Sequence, residues 1–311
     1  MDSRIEKHLI DIIAKQYQPG KFRQATDEDL IASRLDEPVA ADQLWEVDDR
    51  KTCAMVFVSE VPDDRRLVRV IPVGNYENGF DSRDHVVFPD GSPTGFPLIV
   101  YKEFETTIPI RLLSVPYGSF DGHVSDNIRS FEGVYDPYDD NNIPLVNRMN
   151  IRDQFERWHE LCDRLPEPQG ISEEEFGTRE DIGDYIEALH SVLGLAPAQC
   201  LAVRRGTLAL TEEQEKRMAK AGFGNHPQTT DTLPKAFVEL SEQPRWRFVV
   251  DDYIDSHQES ASSFDIENTA REALAHQAFA LAARTNGSGD EAINELLQKA
   301  AGSMTRSRKA E

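Results

Sequence analysis

The chain has 311 residues, with 34 basic and 56 acidic side chains and a formal net charge of −22. That length exceeds one small core and fits two domains of ordinary size. A hydrophobic content of 39% with interspersed charge suits a globular chain and excludes a wholly disordered or membrane-embedded one.

No apolar run approaches the ~20 residues needed to span a bilayer, so no membrane partner is expected. The N-terminus, MDSRIEKHLIDIIAKQ, is charged and amphipathic and lacks the apolar core of a signal peptide. Cys53, Cys162 and Cys200 are scattered, odd in number and outside any CxxC pair. They argue against a disulfide framework or zinc knuckle and for a reducing, cytoplasmic setting. The acid excess is shared by both halves of the chain, so no whole domain is a basic module and general adhesion to nucleic acid is opposed. Three readings remain: a local basic patch on an acidic body, a basic protein partner, or acidity that serves solubility alone.

In chain order, Ile5, Leu9, Ile12 and Ile13 recur at helical spacing, which predicts a helix over 2–16 stopped by a turn at Pro19-Gly20. A short helix from Asp27 to Leu35 follows, with Thr26 as its N-cap. Residues 1–40 thus read as a helical arm. Between residues 41 and 120 the texture changes. The β-rich runs QLWEV, CAMVFVSEV, RLVRVIPV, HVVF, PLIVYKEF and TIPIRLL alternate with the turn clusters PDD, NYENGFDSRD, PDGSPTG and SVPYG. This spacing predicts five or six short strands in a small antiparallel β-barrel, whose closure would hide the edges of strands as apolar as AMVFV.

Residues 121–149 read as a linker or long loop rich in Asp, Asn, Gly and Pro. From 150 to 311 the pattern is all-helical. Phe155, Trp158, Leu161 and Leu165 mark one helix, and Ile182, Tyr185, Ile186, Leu189 and Leu193 another. Further helices are expected over Leu233–Leu240, Trp246–Ser256, Ile266–Thr285 and Asp290–Ala301. The fold class is therefore α+β.

Within the helical part, LGLAPAQCLAVRRGTLALTEEQ spans Leu193 to Gln214. Gly194 suits a left-handed helix end with Leu195 packing back. Pro197 suits the first turn of the next helix, whose Leu201, with Cys200 and Val203, faces a core. Gly206 stops that helix, and Thr211 with Gln214 forms a capping box for another. Residues 180–222 therefore resemble the second half of the Xre (lambda-repressor-like) helix-turn-helix. The corner Leu193-Gly194-Leu195, the ending Arg204-Arg205-Gly206 and the opening Thr211-Glu212-Glu213 carry that resemblance.

It implies DNA binding through Gln199, Arg204, Arg205 and Thr207, by a dimer, since one such helix reads only a short half-site. The sequence departs from the family on the reading face. Ala198, Gln199 and Ala202 would meet base edges, and only Gln199 hydrogen-bonds a base well. Arg204, Arg205 and Thr207 would clamp phosphates, which position the protein and carry no sequence information. The segments LPKAFVELSEQPRWRFVVDDYI and AREALAHQAFALAARTNG are similar to the C-terminal halves of actinobacterial Xre-type regulators.

The strand-rich segment resembles the small barrels of the MazF/PemK toxin family at Leu44-Trp45, Arg50 before CAMVFV, Val70-Ile71-Pro72-Val73 and Gly95-Phe96-Pro97-Leu98. That resemblance implies RNA cleavage with Arg50 stabilising charge on the scissile phosphate. However, Gly74 stands where the family's catalytic Thr would be.

Other constellations are weaker. His159-Glu160 and His190 belong to no HExxH, and Asp136, Asp139 and Asp140 lack EF-hand spacing. Arg65, Arg66 and Arg69 beside Asp63-Asp64 read as a solvated hairpin. P-loop, GxGxxG and Gly-x-Ser-x-Gly patterns are absent, so no cofactor and no metal are expected. The leading expectation is a bacterial or phage regulatory, toxin–antitoxin-like DNA-binding protein, and not an enzyme. The alternatives are an acidic protein-interaction module or DNA mimic with a degenerate helix-turn-helix, and third, an endoribonuclease.

Overall fold

The structure is a computed structural model that describes residues 18–75, 80–133, 145–166, 179–204, 210–223, 233–256, 263–282 and 289–308. The helix expected over 2–16 lies outside these residues, as do Asp136, Asp139 and Asp140.

The fold is α+β. Two short helices come first, α1 (Pro19–Ala25) and α2 (Glu28–Asp36). Pro19 occupies the first turn of α1, where its missing N–H is not needed, so Pro19-Gly20 opens a helix instead of a turn. The cap of α2 is Asp27 and not Thr26. The Asp27 carboxylate accepts from the Leu30 N–H at 3.1 Å, while the Thr26 hydroxyl donates back to the Phe22 carbonyl at 2.9 Å. A carboxylate also suits the positive end of the helix better than a hydroxyl does.

Seven strands follow among the described residues: β1 (Gln43–Asp48), β2 (Cys53–Glu60), β3 (Leu67–Asn75), β4 (His85–Val87), β5 (Leu98–Val100), β6 (Thr106–Pro109) and β7 (Leu113–Ser119). All ladders are antiparallel, in the order β4-β5-β3-β2-β1-β7, and β6 pairs with the N-terminal half of β3 beside β5. The barrel expected over 41–120 is therefore an open sheet, ending in β4 and β7. The edges are handled by other means than closure. β4 is only three residues long, and Pro116 in β7 has no N–H to offer. Arg34 of α2 donates to the Pro116 carbonyl at 3.4 Å. SVPYG, expected as a turn, is thus the body of β7, since an edge strand tolerates a proline.

The pleat of the sheet explains its apolar runs. Trp45, Val47, Val56, Val58, Val68 and Val70 point to one face, and Leu44, Phe57, Ile71 and Val73 to the other. Both faces are covered, so the central strands read as continuous apolar runs. The second face is closed by α3 (Gly122–Ser130), whose Val124 and Ile128 enter the core one helical turn apart. The expected linker therefore begins with a packed helix, hidden in sequence by only two apolar anchors among polar residues. The first face is closed by α4 (Leu145–Glu160), through Phe155 and Trp158 in edge-to-face contact at 4.9 Å. A 3-10 turn, Leu161–Arg164, extends it.

The remaining helices are α5 (Arg179–Leu193), α6 (Pro197–Arg204), α7 (Glu212–Met218), α8 (Lys235–Ser241), α9 (Arg247–Ser256), α10 (Ser263–Ala282) and α11 (Asp290–Arg308). The chain forms two compact units, Met1–Pro166 with Glu242–Ala270, and Glu167–Ser241 with Arg271–Glu311. The sheet unit thus holds α4 and α9 as well as the start of α10, and the division does not follow a single cut near residue 150.

Charged and polar side chains join these helices to the sheet within the first unit. Arg111 meets Glu242 and donates to Asn268 at 2.5 Å, and Arg247 pairs with Asp48 at 2.6 Å. In the second unit α8 packs on α11, and Phe237 meets Phe279 edge-to-face at 5.4 Å. No helix among the described residues is long and apolar enough to cross a membrane. The thiols of Cys53, Cys162 and Cys200 are all free.

Candidate nucleic-acid interface

The α5–α6–α7 segment is built from local signals that the sequence displays openly. Gly194 ends α5 at φ +71°, a left-handed conformation that costs a side-chain-bearing residue ~1–2 kcal/mol. Its N–H bonds to the His190 carbonyl at 2.9 Å, closing the last turn. The His190 ring donates from Nδ1 to the Leu195 carbonyl at 2.8 Å, fixing the corner from the other side.

Helix α6 then begins at Pro197. The Gln199 side-chain oxygen accepts from the Ala196 N–H at 3.0 Å, so Gln199 caps its own helix. At α7 the Thr211–Gln214 capping box is complete. The Thr211 N–H donates to the Gln214 side chain at 2.9 Å, and the Gln214 N–H to the Thr211 hydroxyl at 3.4 Å.

These helices enclose a small core of Tyr185, Ala188, Leu189, Cys200, Val203 and Met218. Cys200 and Val203 lie one turn apart and turn α6 inward on that side. Burial pushes the Cys200 thiol up, which keeps it protonated and unreactive. Arg217 of α7 donates to the Val192 carbonyl near the end of α5. A π-helical turn, Ala219–Phe223, follows, with Gly222 at φ +93°, and Phe223 reaches back to Tyr185 at 6.1 Å.

Of the expected DNA contacts, Gln199 is exposed on α6. Its oxygen is engaged at the helix start, which leaves the amide N–H groups as its remaining donors. The backbone of Arg204 ends α6. Arg205, Gly206 and Thr207 lie outside the described residues, as do the side chains of Ala198, Leu201, Ala202 and Arg204.

Arg50, the candidate for RNA cleavage, occupies the β1–β2 hairpin at φ +66°. Its backbone N–H donates to Asp48 at 2.7 Å, and Asp49 accepts from the Lys51 and Thr52 amides. The guanidinium is held by Asp251 at 2.5 Å and by Glu267 at 2.8 Å. Burial opposes its charge, but these two carboxylates outweigh burial and raise its pKa. A scissile phosphate would have to displace both of them.

The glycine that stands in place of the toxin threonine has a steric reason. A Cβ on Gly74 would lie 2.7 Å from the Tyr101 hydroxyl oxygen and 2.8 Å from its ring. Tyr101 is buried, so the side chain that toxin chemistry requires has no room in β3.

The hairpin arginines are also paired. Arg66 meets Asp64 at 2.7 Å, and Arg69 meets Glu105 at 3.2 Å. Sequence reasoning pointed to neither the Arg111–Glu242 pair nor a cluster around Arg148, because their members are far apart in the chain and carry no motif. Among the described residues no group of three or more His, Cys, Asp or Glu could hold a metal ion. Compared with protein-family models, with curated proteins and with solved structures, the chain finds no match in any of the three.

Proposed function

We propose that the chain is a regulatory DNA-binding protein that contacts the duplex through the α5–α6–α7 element. The observation that carries this reading is the ordered set of stops and caps. A left-handed Gly194 corner leads into a helix with an inward Cys200–Val203 stripe and an exposed Gln199, and a complete capping box opens the next helix. Gln199 would supply base contact through its amide donors. Arg204, Arg205 and Thr207 would hold phosphates, giving binding that is strong in charge and modest in sequence preference. A dimer would double the short half-site that one element reads.

Gel shift of the full chain against duplex fragments across a salt series tests this. Affinity should fall steeply as salt rises, because released counterions drive phosphate binding. Replacing Arg204 and Arg205 by alanine should abolish the shift, and unchanged binding by that double variant overturns the assignment.

A second reading has its own support. A net charge of −22 opposes approach to a polyanion, and the Gln199 oxygen is already committed to Ala196. In that reading the element serves packing, and the acidic surface neutralises a basic protein partner in a cytoplasmic setting. Retention of a basic protein on the immobilised chain, lost at high salt and unaffected by the double arginine variant, separates it from DNA binding.

A further inference from the structure

Charged side chains from three parts of the sheet unit converge beside Tyr101. Arg148, in the first turn of α4, is only 5% exposed, yet it faces three carboxylates. Its Nη2 lies 2.5 Å from Asp84 and 2.8 Å from Asp81, and its Nη1 bonds Glu103. Arg83 adds a second cation, 2.6 Å from Asp81 and 3.8 Å from Glu103.

The side chain of Asp84 is fully buried, at 0% exposure. One carboxylate oxygen accepts from Arg148 and from the Asp81 N–H at 2.9 Å, while Oδ1 has no hydrogen-bond partner among the described residues. Arg148 Nε is likewise buried and without a partner among the described residues. An ionised carboxylate with a bare oxygen is a costly occupant of a dry site. Among the described residues, with every group charged, three carboxylates face two guanidiniums and one negative charge is left over. With Asp84 neutral, these described groups balance.

We propose that Asp81, Asp84, Glu103 and Arg148 form an acid-set clasp, which takes up one proton on Asp84 and thereby tightens the seating of the first turn of α4 on the segment leading into β4.

The surroundings agree with this. Burial is the largest influence on Asp84 and pushes its carboxyl up to about 6, only partly offset by the Asp81 N–H and the Arg148 charge. The groups facing it are Asp81 and Arg83 on its own segment, Glu103 and Tyr101 after β5, and Arg148 on α4. Burial, with Asp84 nearby, pushes the Tyr101 phenol up to about 12, so it stays neutral. His85, the next residue, is pushed down by burial, so its own contribution falls as pH drops and opposes that of Asp84. Asp81 is lowered: burial opposes its charge, but Arg83 and Arg148 outweigh it, so Asp81 stays ionised where Asp84 does not.

Because Asp84 is raised above its unfolded value, the folded chain binds the proton more tightly. Stability from this group therefore grows as pH falls through about 6 and levels off near the ordinary carboxylate range.

Hydrogen exchange of the full chain tests the clasp at residues 80–87 and 145–152, after correction for intrinsic exchange. In a His85→Gln background, which removes the opposing titration, local opening should be about tenfold rarer at pH ~5 than at pH ~7.5. Asp84→Asn should abolish that difference, while Asp153→Asn, an exposed change on the same helix, should leave it intact. Equal opening at both pH values in the His85→Gln background, or an undiminished difference when Asp84→Asn is added to it, overturns the proposal. Wild-type protein labelled with 13C at the aspartate carboxyls gives a readout that needs no variant. One aspartate should titrate near 6, and titration of every aspartate below ~5 overturns the clasp.

Discussion

Arg111 and Glu242, separated by 131 residues in the chain, meet in a two-pronged ion pair. Arg111 Nε and Nη2 each lie 2.6 Å from a Glu242 oxygen, with side chains 0% and 3% exposed. Arg111 also stacks 5.0 Å from the Phe264 ring and donates to Asn268, so its remaining surface is matched. This pair fastens the returning segment 242–270 to the sheet. Removing one partner strands the other charge in a dry site. Arg111→Ala or Glu242→Ala should each cost about 3–5 kcal/mol, measured by denaturant unfolding. Replacing both by Met and Leu should cost much less than the sum. Additive losses would show that the two charges do not depend on each other.

The Trp158 indole donates to Asp49 at 2.9 Å, linking α4 to the β1–β2 hairpin. Burial pushes the Asp49 carboxyl up, but Trp158 and the Thr52 and Lys51 amides outweigh it and hold the pKa below the usual value. Its stabilising effect is therefore present above the ordinary carboxylate pKa and is lost as pH falls through the lowered one. Trp158→Phe should bring the onset of acid unfolding to higher pH, followed by circular dichroism. An unchanged acid limb would mean that the backbone amides alone hold Asp49.

Two glycines should resist substitution for different reasons. Gly74→Ala forces the buried Tyr101 ring aside and should cost ~1–3 kcal/mol in thermal or denaturant unfolding. A Cβ on Gly194 meets nothing within 4 Å, but the residue sits at φ +71°, so Gly194→Ala should cost ~1–2 kcal/mol through backbone strain alone. Gly194→Asn, which tolerates that conformation better, should recover part of the loss.

Gln199→Ala distinguishes the two roles that meet in one side chain. Loss of its bond to Ala196 should lower stability by ~0.5–2 kcal/mol. If Gln199 also reads a base, the variant should bind preferred and random duplexes alike while the salt slope stays the same. A preserved preference assigns Gln199 to capping only.

Much of the second unit was legible because its signals are short-range. The Gly194 corner, the Pro197 start and the Thr211–Gln214 box each involve residues within a few positions of one another, and each stands where the residues implied. Cys200 and Val203, expected to face a core beside Leu201, do so, while the Leu201 side chain lies outside the described residues. The strands from Gln43 to Pro109 were equally visible, since runs buried on both faces, such as Val56-Phe57-Val58 and Val70-Ile71, stay apolar over several consecutive positions. β7 was not visible, because Pro116 and Gly118 look like a turn until β1 is known to lie on one side only. α3 was hidden for a related reason: Val124 and Ile128 mark a helix only when a sheet face waits for them.

Local chemistry alone therefore sets the helix caps, the glycine corners and the alternation of strands, because those choices are made between neighbours in the chain. The tertiary structure alone decides that the sheet stays open and that residues 242–270 belong with it. It also commits Arg50 to two carboxylates and brings three acids onto Arg148. The physical reason is the same in each case. The energy of a buried charge or a covered sheet edge depends on partners that the chain supplies from far away, and no local spacing records which partner arrives.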